Sequence, residues 1–300
     1  MKYLIFIFLL FSSLKAFDYK LAPIKLNENS YYFYGKEEYF SFLNAGDIAN
    51  VSFIITQNSV ILIDTGSSYE YGLQIKDSIK KITAKPIKYI INTHHHPDHF
   101  LGNSAFTQSD IFATKYTKEE IEKNGDLYIL NLINIIQTAM KDTKVKTPNK
   151  DLNSKILDLD GYKLEILYLD GHTKSDVAIF DYQTKILYSA DLVFHKRTPA
   201  TAHANIKNWI TSLEQLEKID YKILVSGHGI ASNSKEPIKE NIAYLKFLDE
   251  ILKQSAKEGL DIFEILEKPI PKEFKNFTMF KEEFERSVIN LYPSYEKEKE

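Results

Sequence analysis

The stretch Thr93-His94-His95-His96-Pro97-Asp98-His99 places four imidazoles and a carboxylate within six positions, directly after the apolar run Ile87 to Asn92. Side chains of these types, so closely spaced, can ligate metal ions. Pro97 biases His96 towards extended backbone, and in an extended chain residues two apart share a face. His94, His96 and Asp98 then point one way and His95 the other. His99 breaks that parity, so the chain must turn there, as where a helix begins. One short stretch cannot surround two ions, and further ligands must come from elsewhere. Gly171-His172-Thr173, Ser189-Ala190-Asp191 and Ser226-Gly227-His228-Gly229 supply the right types, each abruptly after an apolar run. Each has a small residue beside the ligand candidate, which lets backbone approach closely.

The composition narrows the chemistry. The 300 residues contain no cysteine and eight histidines, all between His94 and His228. Disulfides and thiolate metal sites are therefore excluded. A formal charge of −3 gives no reason to expect nucleic acid. Of 38 basic residues only Arg197 and Arg286 are arginine. Met1-Lys2, the apolar run Tyr3 to Phe11 and the small residues Ser12, Ser13 and Ala16 read as a secretory signal over residues 1–16, too short for a membrane span. The competing reading is an uncleaved anchor. A periplasmic protein without stable membrane insertion is the expectation.

The elements that must position these residues alternate between strand and helix. Val51–Thr56 and Val60–Asp64 read as a hairpin about Gln57-Asn58-Ser59, with Asp64-Thr65-Gly66 ending it. Helical spacing covers 69–83, and the run 87–92 is a strand. Residues 99–107 and 115–140 read as helices, the second facing inward with Ile121, Leu127, Leu130, Ile133 and Ile136. Residues 142–154 read as a loop. Strands are expected at 155–159, 163–169, 176–181, 185–190 and 221–225, and a helix at 206–218 bearing Trp209. Tyr31 to Tyr34 read as core packing in a first strand. From about Lys235 the pattern is helical. Two similar halves, each with strands and helices, predict a layered α/β fold with helices outside two sheets.

The string His-x-His-x-Asp-His, then Gly-His, Asp and Gly-His-Gly, with Asp64-Thr65-Gly66 upstream, resembles the metallo-β-lactamase superfamily. The resemblance implies a four-layer αβ/βα sandwich over residues 17–232 and C-terminal helices over 233–300. It also implies a two-metal site. His94, His96 and His172 would hold one ion, Asp98, His99 and His228 the other, and Asp191 would bridge. Asn50 to Gly72, His94 to Asn103, Asp191-Leu192-Val193-Phe194, Arg197-x-Pro199, Trp209 and Asn241-x-x-Tyr244-Leu245 are further similar to SoxH-like proteins. These are also called quinoprotein relay system zinc metallohydrolases, which implies association with a quinoprotein pathway.

The expected reaction uses two Zn²⁺ ions, with Fe or Mn as substitutes, held roughly 3.5–4 Å apart and sharing a hydroxide. That hydroxide would attack the carbonyl of a small thioester or other ester, with Asp98 and Asp191 as catalytic carboxylates. Alternatives are a mononuclear-iron persulfide dioxygenase, a β-lactamase-type amide hydrolase and a non-enzymatic accessory protein. The missing cysteine and the aspartate at 191 fit a glyoxalase II-like pattern better than that of the cysteine-bearing lactamases. Lys174, Lys196 and Arg197 carry positive charge near the expected mouth, and Lys174 and Arg197 are candidates for meeting an anionic substrate. Solvated loop charge is the alternative reading. Asp64 is expected to hydrogen-bond backbone or a ligand histidine from behind. His95, His195 and His203 are expected in supporting or surface roles.

Overall fold

Apart from Ser52, the run Val51–Ile55 is apolar rather than alternating, and the structure shows why. In this computed structural model, which describes residues 17–297, both faces of the strand are covered. The expected leader lies outside the described residues. Phe53 packs against helices on one side, and Ile54 packs against a second sheet on the other.

The first sheet has the order β1 (Ile24–Lys25), β2 (Ser30–Phe33), β3 (Val51–Ile55), β4 (Val60–Ile63), β5 (Ile87–Ile91), β6 (Asp110–Ala113) and β7 (Lys150–Asp151). Pairing is antiparallel up to β4 and parallel from β4 to β7. Helix α1 (Tyr69–Lys80) connects β4 to β5, and α2 (Pro97–Phe100) runs into a 3₁₀ turn over Leu101–Ala105. Helix α3 (Lys115–Ile136) follows β6. The second sheet comprises β8 (Ile156–Leu159), β9 (Tyr162–Leu169), β10 (Asp176–Asp181), β11 (Ile186–Phe194) and β12 (Ile223–His228), in the order β12-β11-β10-β9-β8. It is antiparallel except for β11–β12, which are joined in parallel through α4 (Ile206–Glu217).

Three apolar clusters bind the layers. Tyr32, Ile54, Ile61 and Ile91 of the first sheet meet Ile166, Ile179 and Val225 of the second. Phe53 and Leu62 meet Ile75 of α1 and Ile121 of α3 on the outer face of the first sheet. On the outer face of the second, Ala178 and Leu187 join Trp209 of α4, Leu245 of α5 (Glu236–Glu258) and Val288 of α8 (Phe280–Lys297) in a third cluster. The short helices α6 (Ile262–Leu266) and α7 (Lys272–Lys275) link α5 to α8. This is the expected four-layer αβ/βα sandwich with C-terminal helices.

Several element boundaries depart from expectation. The helix expected over 99–107 is one α turn and a 3₁₀ turn, begun by Pro97, whose fixed φ suits a first helical position. Helix α3 ends at Ile136, before Gln137 with φ +49. Its inward face is Ile121, Gly125, Leu132 and Ile136, while Leu127, Leu130 and Ile133 are exposed. Gly125 turns inward because Val145 leaves no room for a β-carbon, which would stand 2.7 Å from its Cγ2. The 142–154 loop contains the short strand β7, and Tyr31 to Phe33 lie in the second strand. Strand β11 does not stop at Ala190 but continues to Phe194 past a register shift, with Ala190 at φ +46.

Candidate metal centre

The site lies where the two sheets present their strand ends. Strand β5 leads into His94 and His96, and the α2 turn carries Asp98 and His99. The loop after β9 carries His172, β11 carries Asp191, and His228 is the last residue of β12. Two groups form. His94, His96, His172 and Asp191 each offer a ligand atom, all within 4.8 Å of one another, and Asp98, His99 and His228 do the same. Asp191 touches both groups. Its Oδ2 lies 3.9 Å from His94 Nε2, 3.4 Å from His172 Nε2 and 3.3 Å from His228 Nε2, and its Oδ1 lies 3.1 Å from His99 Nε2. Asp98 Oδ2 is 3.5 Å from His228 Nε2. All seven residues proposed from the sequence are therefore brought together.

The register shift in β11 and the absence of a side chain at residue 227 place Asp191. A β-carbon on Gly227 would stand 1.9 Å from Asp191 Oδ1. Gly171, at φ +129, similarly lets the His172 loop lie on Trp209, whose Cα would be 2.2 Å from an added β-carbon.

Hydrogen bonds from behind fix the imidazole tautomers. Asp64, itself at φ +62, accepts from Thr93 N and Oγ1 at 2.9 and 2.8 Å. It also accepts from His99 Nδ1 at 2.8 Å, which leaves His99 Nε2 facing Asp191. This is the supporting role expected of it. His228 Nδ1 donates to the Ile48 carbonyl at 2.8 Å, leaving Nε2 for the site. His96 directs Nδ1 to within 2.9 Å of His172 Nε2, and its Nε2 is 2.8 Å from His203 Nδ1.

Burial holds His94 and His96 well below the ordinary imidazole range and pushes His172 down to about 3. These rings are neutral at pH 7, the form that binds a metal. His94 Nε2 is buried with no hydrogen-bond partner, and His99 Nε2 and Asp191 Oδ1, though 3.1 Å apart, are not aligned as a hydrogen bond. Such orphaned atoms are costly in a closed site unless something else satisfies them. The donor set of imidazole and carboxylate suits a borderline divalent ion, so the residues fit metal binding.

Other expectations resolve differently. His95 is buried and stands apart from Asp191, in a group with His96 and His203. His195 donates from Nδ1 to the Ile230 carbonyl at 2.6 Å, a structural role. His203, read as a surface or structural residue, backs His96 directly. Lys174 is exposed and borders a neighbouring groove with His95, Tyr116 and Leu127, outside the chamber above the site. Lys196 pairs with Glu236 and Glu240. Arg197 does line that chamber of about 240 Å³, with Tyr39, Phe40, Tyr128, His203 and Arg286.

Sequence reasoning assigned no role to three supports, although Asn50 and Asn241 lie in the segments similar to SoxH-like proteins. Asp176 accepts from Thr173 N and Oγ1 at 2.9 and 2.7 Å and braces the His172 loop. Asn241 of α5 bonds both N and O of Phe194, and Phe194 stacks on His228 with centroids 5.1 Å apart. The Asn50 amide donates to the carbonyls of Ser226 and Gly229. The Thr173-x-x-Asp176 spacing was a readable turn signal, whereas the two asparagines bind residues distant in sequence.

Comparison with known proteins agrees with this arrangement. The family model described as "Metallo-beta-lactamase superfamily" matches residues 45–228. A linear primary-alkylsulfatase of Pseudomonas sp. is 23% identical over 79% of this chain and 53% of its own length. The chain thus spans about half of that relative. The hydroxyacylglutathione hydrolase GloC of Haemophilus influenzae is 24% identical over 58% of this chain and 81% of its own. Among solved structures, a metallo-beta-lactamase from Pontibacter korlensis superposes with a TM-score of 0.61 at 20% identity, covering 75% of this chain and 99% of that one.

Proposed function

We propose, from the premise that this chain belongs to the metallo-beta-lactamase superfamily, that it is a metal-dependent hydrolase of a small carbonyl substrate, a thioester or other ester. The observation that carries the reading is the reach of Asp191, one carboxylate within 3.9 Å of histidines from both ligand groups. His94, His96 and His172 would hold one ion, Asp98, His99 and His228 a second, and Asp191 would join them. Bound there, Zn²⁺ supplies a Lewis acid for the carbonyl oxygen and lowers the pKa of water towards 7.

The chain's own residues do the remaining work. Asp64 and the Ile48 carbonyl hold His99 and His228 in the tautomer that points Nε2 inward. Asp98 lines the chamber, and the oxygen not given to the ion would orient the attacking water. Trp209 and Phe194, buried beside His172, exclude bulk solvent from that side. The absence of cysteine and the aspartate at 191 favour ester over β-lactam cleavage, and the similarity to a hydroxyacylglutathione hydrolase agrees. Export through the 1–16 leader to the periplasm, and kinship with the SoxH-like subgroup and its quinoprotein pathways, belong to the same proposal and rest on the sequence.

Metal analysis with a panel of thioester, lactone and β-lactam substrates tests this. About two zinc ions per chain, falling below one in Asp191→Ala, and turnover of a thioester are expected. One iron per chain with oxygen uptake on a persulfide would overturn the hydrolase reading.

A further inference from the structure

Arginine is nearly absent from this chain, yet both of its arginines reach the same oxygen. Arg197 Nη2 is 3.5 Å and Arg286 Nη1 3.6 Å from Glu283 Oε1. Glu283 is 1% exposed, on the first turn of α8. Within this trio two guanidiniums share one carboxylate, an excess of one positive charge, while the other carboxylates of the chamber, Asp98 and Asp191, belong to the ligand groups. Arg197 is 3% exposed, and its Nε and Nη1 have no hydrogen-bond partner. Buried guanidinium donors left unmade are costly. The Phe194 ring lies 5.4 Å from its Cζ, so one side of the cation meets a π-face that offers no oxygen. Arg286 stands at the mouth, half exposed, over the Tyr39 ring at 5.3 Å.

Three residues of this wall lie outside the segment shared with the family, while Arg197 and Phe194 lie within it. Tyr39 precedes residue 45, and Glu283 and Arg286 follow residue 228. It faces the same chamber as His96, Asp98, Asp191 and His228. One small molecule in that space can touch both the ligand groups and the arginines.

We infer that Arg197 and Arg286 form an oxyanion subsite that seats a carboxylate of the substrate while its reacting carbonyl faces Asp191. Guanidinium presents a planar fork that matches a carboxylate in two parallel hydrogen bonds, which a lysine ammonium does not. The inference rests on the hydrolase reading and narrows its substrate to esters or thioesters that carry a carboxylate a few bonds from the scissile carbonyl. Glu283 holds the two forks apart and limits the net charge to that of one anion.

Calorimetric titration of 3-mercaptopropionate and of 3-mercaptopropionamide into the zinc-loaded protein tests the subsite, because the two share a thiol anchor and differ in charge. The carboxylate is expected to bind about tenfold tighter or more, the range of one charge-assisted hydrogen bond. That ratio is expected to fall towards one in Arg286→Gln, at a half-exposed position, with folding checked by an unchanged zinc content. Arg197→Lys, which keeps the charge and loses the fork, is expected to lower it as well. Equal affinity in the wild type, or a ratio that Arg286→Gln leaves unchanged, overturns the subsite. Failure of the hydrolase reading looks different: no thioester is turned over, while the preference for the carboxylate remains.

Discussion

At the scale of single residues, the site depends on atoms that face away from it. His96 offers Nδ1 to the ligand group only if Nε2 carries the proton, and that proton points at His203 Nδ1, 2.8 Å away. His203→Ala is expected to weaken binding of one metal equivalent by about 10–100-fold and leave the other unchanged. His203→Asn, whose amide oxygen can accept the same hydrogen bond, is expected to recover most of the loss. Competition titration against a chelating dye reads both, and affinities in His203→Ala unchanged from wild type for both equivalents would refute the role. Alternation in an extended chain was enough to separate His95 from His94, His96 and Asp98. It could not reveal His203, which lies in a loop 107 residues from His96 and joins it only through the packing of both sheets.

At the scale of elements, ligand-bearing turns were legible because each follows an apolar run and is marked by glycine, proline or aspartate. Strand ends were less so. The sequence reads Ser189-Ala190-Asp191 as a stop, but β11 bends at Ala190 and pairs onward to Phe194 beside His228. The polar residues inside this strand are tolerated because Asp191 faces the site and Ser189 donates to the Val225 carbonyl. Helix α3 misled for another reason. Its leucines and isoleucines occupy more than one face, and Gly125 against Val145 decides which face turns inward. Leu132→Ala is therefore expected to cost about 2–5 kcal/mol in urea unfolding. Leu127→Lys, at an exposed position, is expected to stay within about 0.5 kcal/mol of wild type. Reversed magnitudes would restore the stripe expected from the sequence.

At the scale of the whole molecule, the buried imidazoles link stability to pH. In metal-free protein His94, His96 and His172 have pKa values depressed by burial, while an unfolded histidine titrates near 6.5. Below 6.5 the unfolded chain therefore takes up protons that the folded one refuses, and stability falls as pH falls. Each of the three contributes up to about 1.4 kcal/mol per pH unit. His99 is different: although burial opposes its charge, Asp191, Asp64 and Asp98 hold its pKa well above the ordinary range. It is protonated in both states below 6.5 and adds no slope there. Buried Asp176 and Asp47, pushed up to about 8 and about 6, take up protons in the folded state and offset part of this slope. The melting temperature of chelator-treated protein should therefore drop between pH 6.5 and 5 by less than three rings alone would give, and a rise would contradict neutral buried rings. The layered fold could be read from alternating strands and helices, but the way its halves are tied could not. Ile48 accepts from His228 and Asn50 grips the backbone around it, contacts about 180 residues apart in the chain. Closing them is slow work for a folding polypeptide. During synthesis the Asp98–His99–His228 group cannot exist until residue 228 has left the ribosome, so a nascent chain shorter than that can offer only an incomplete cradle. Maturation of the site is by geometry a late event, after both sheets have met.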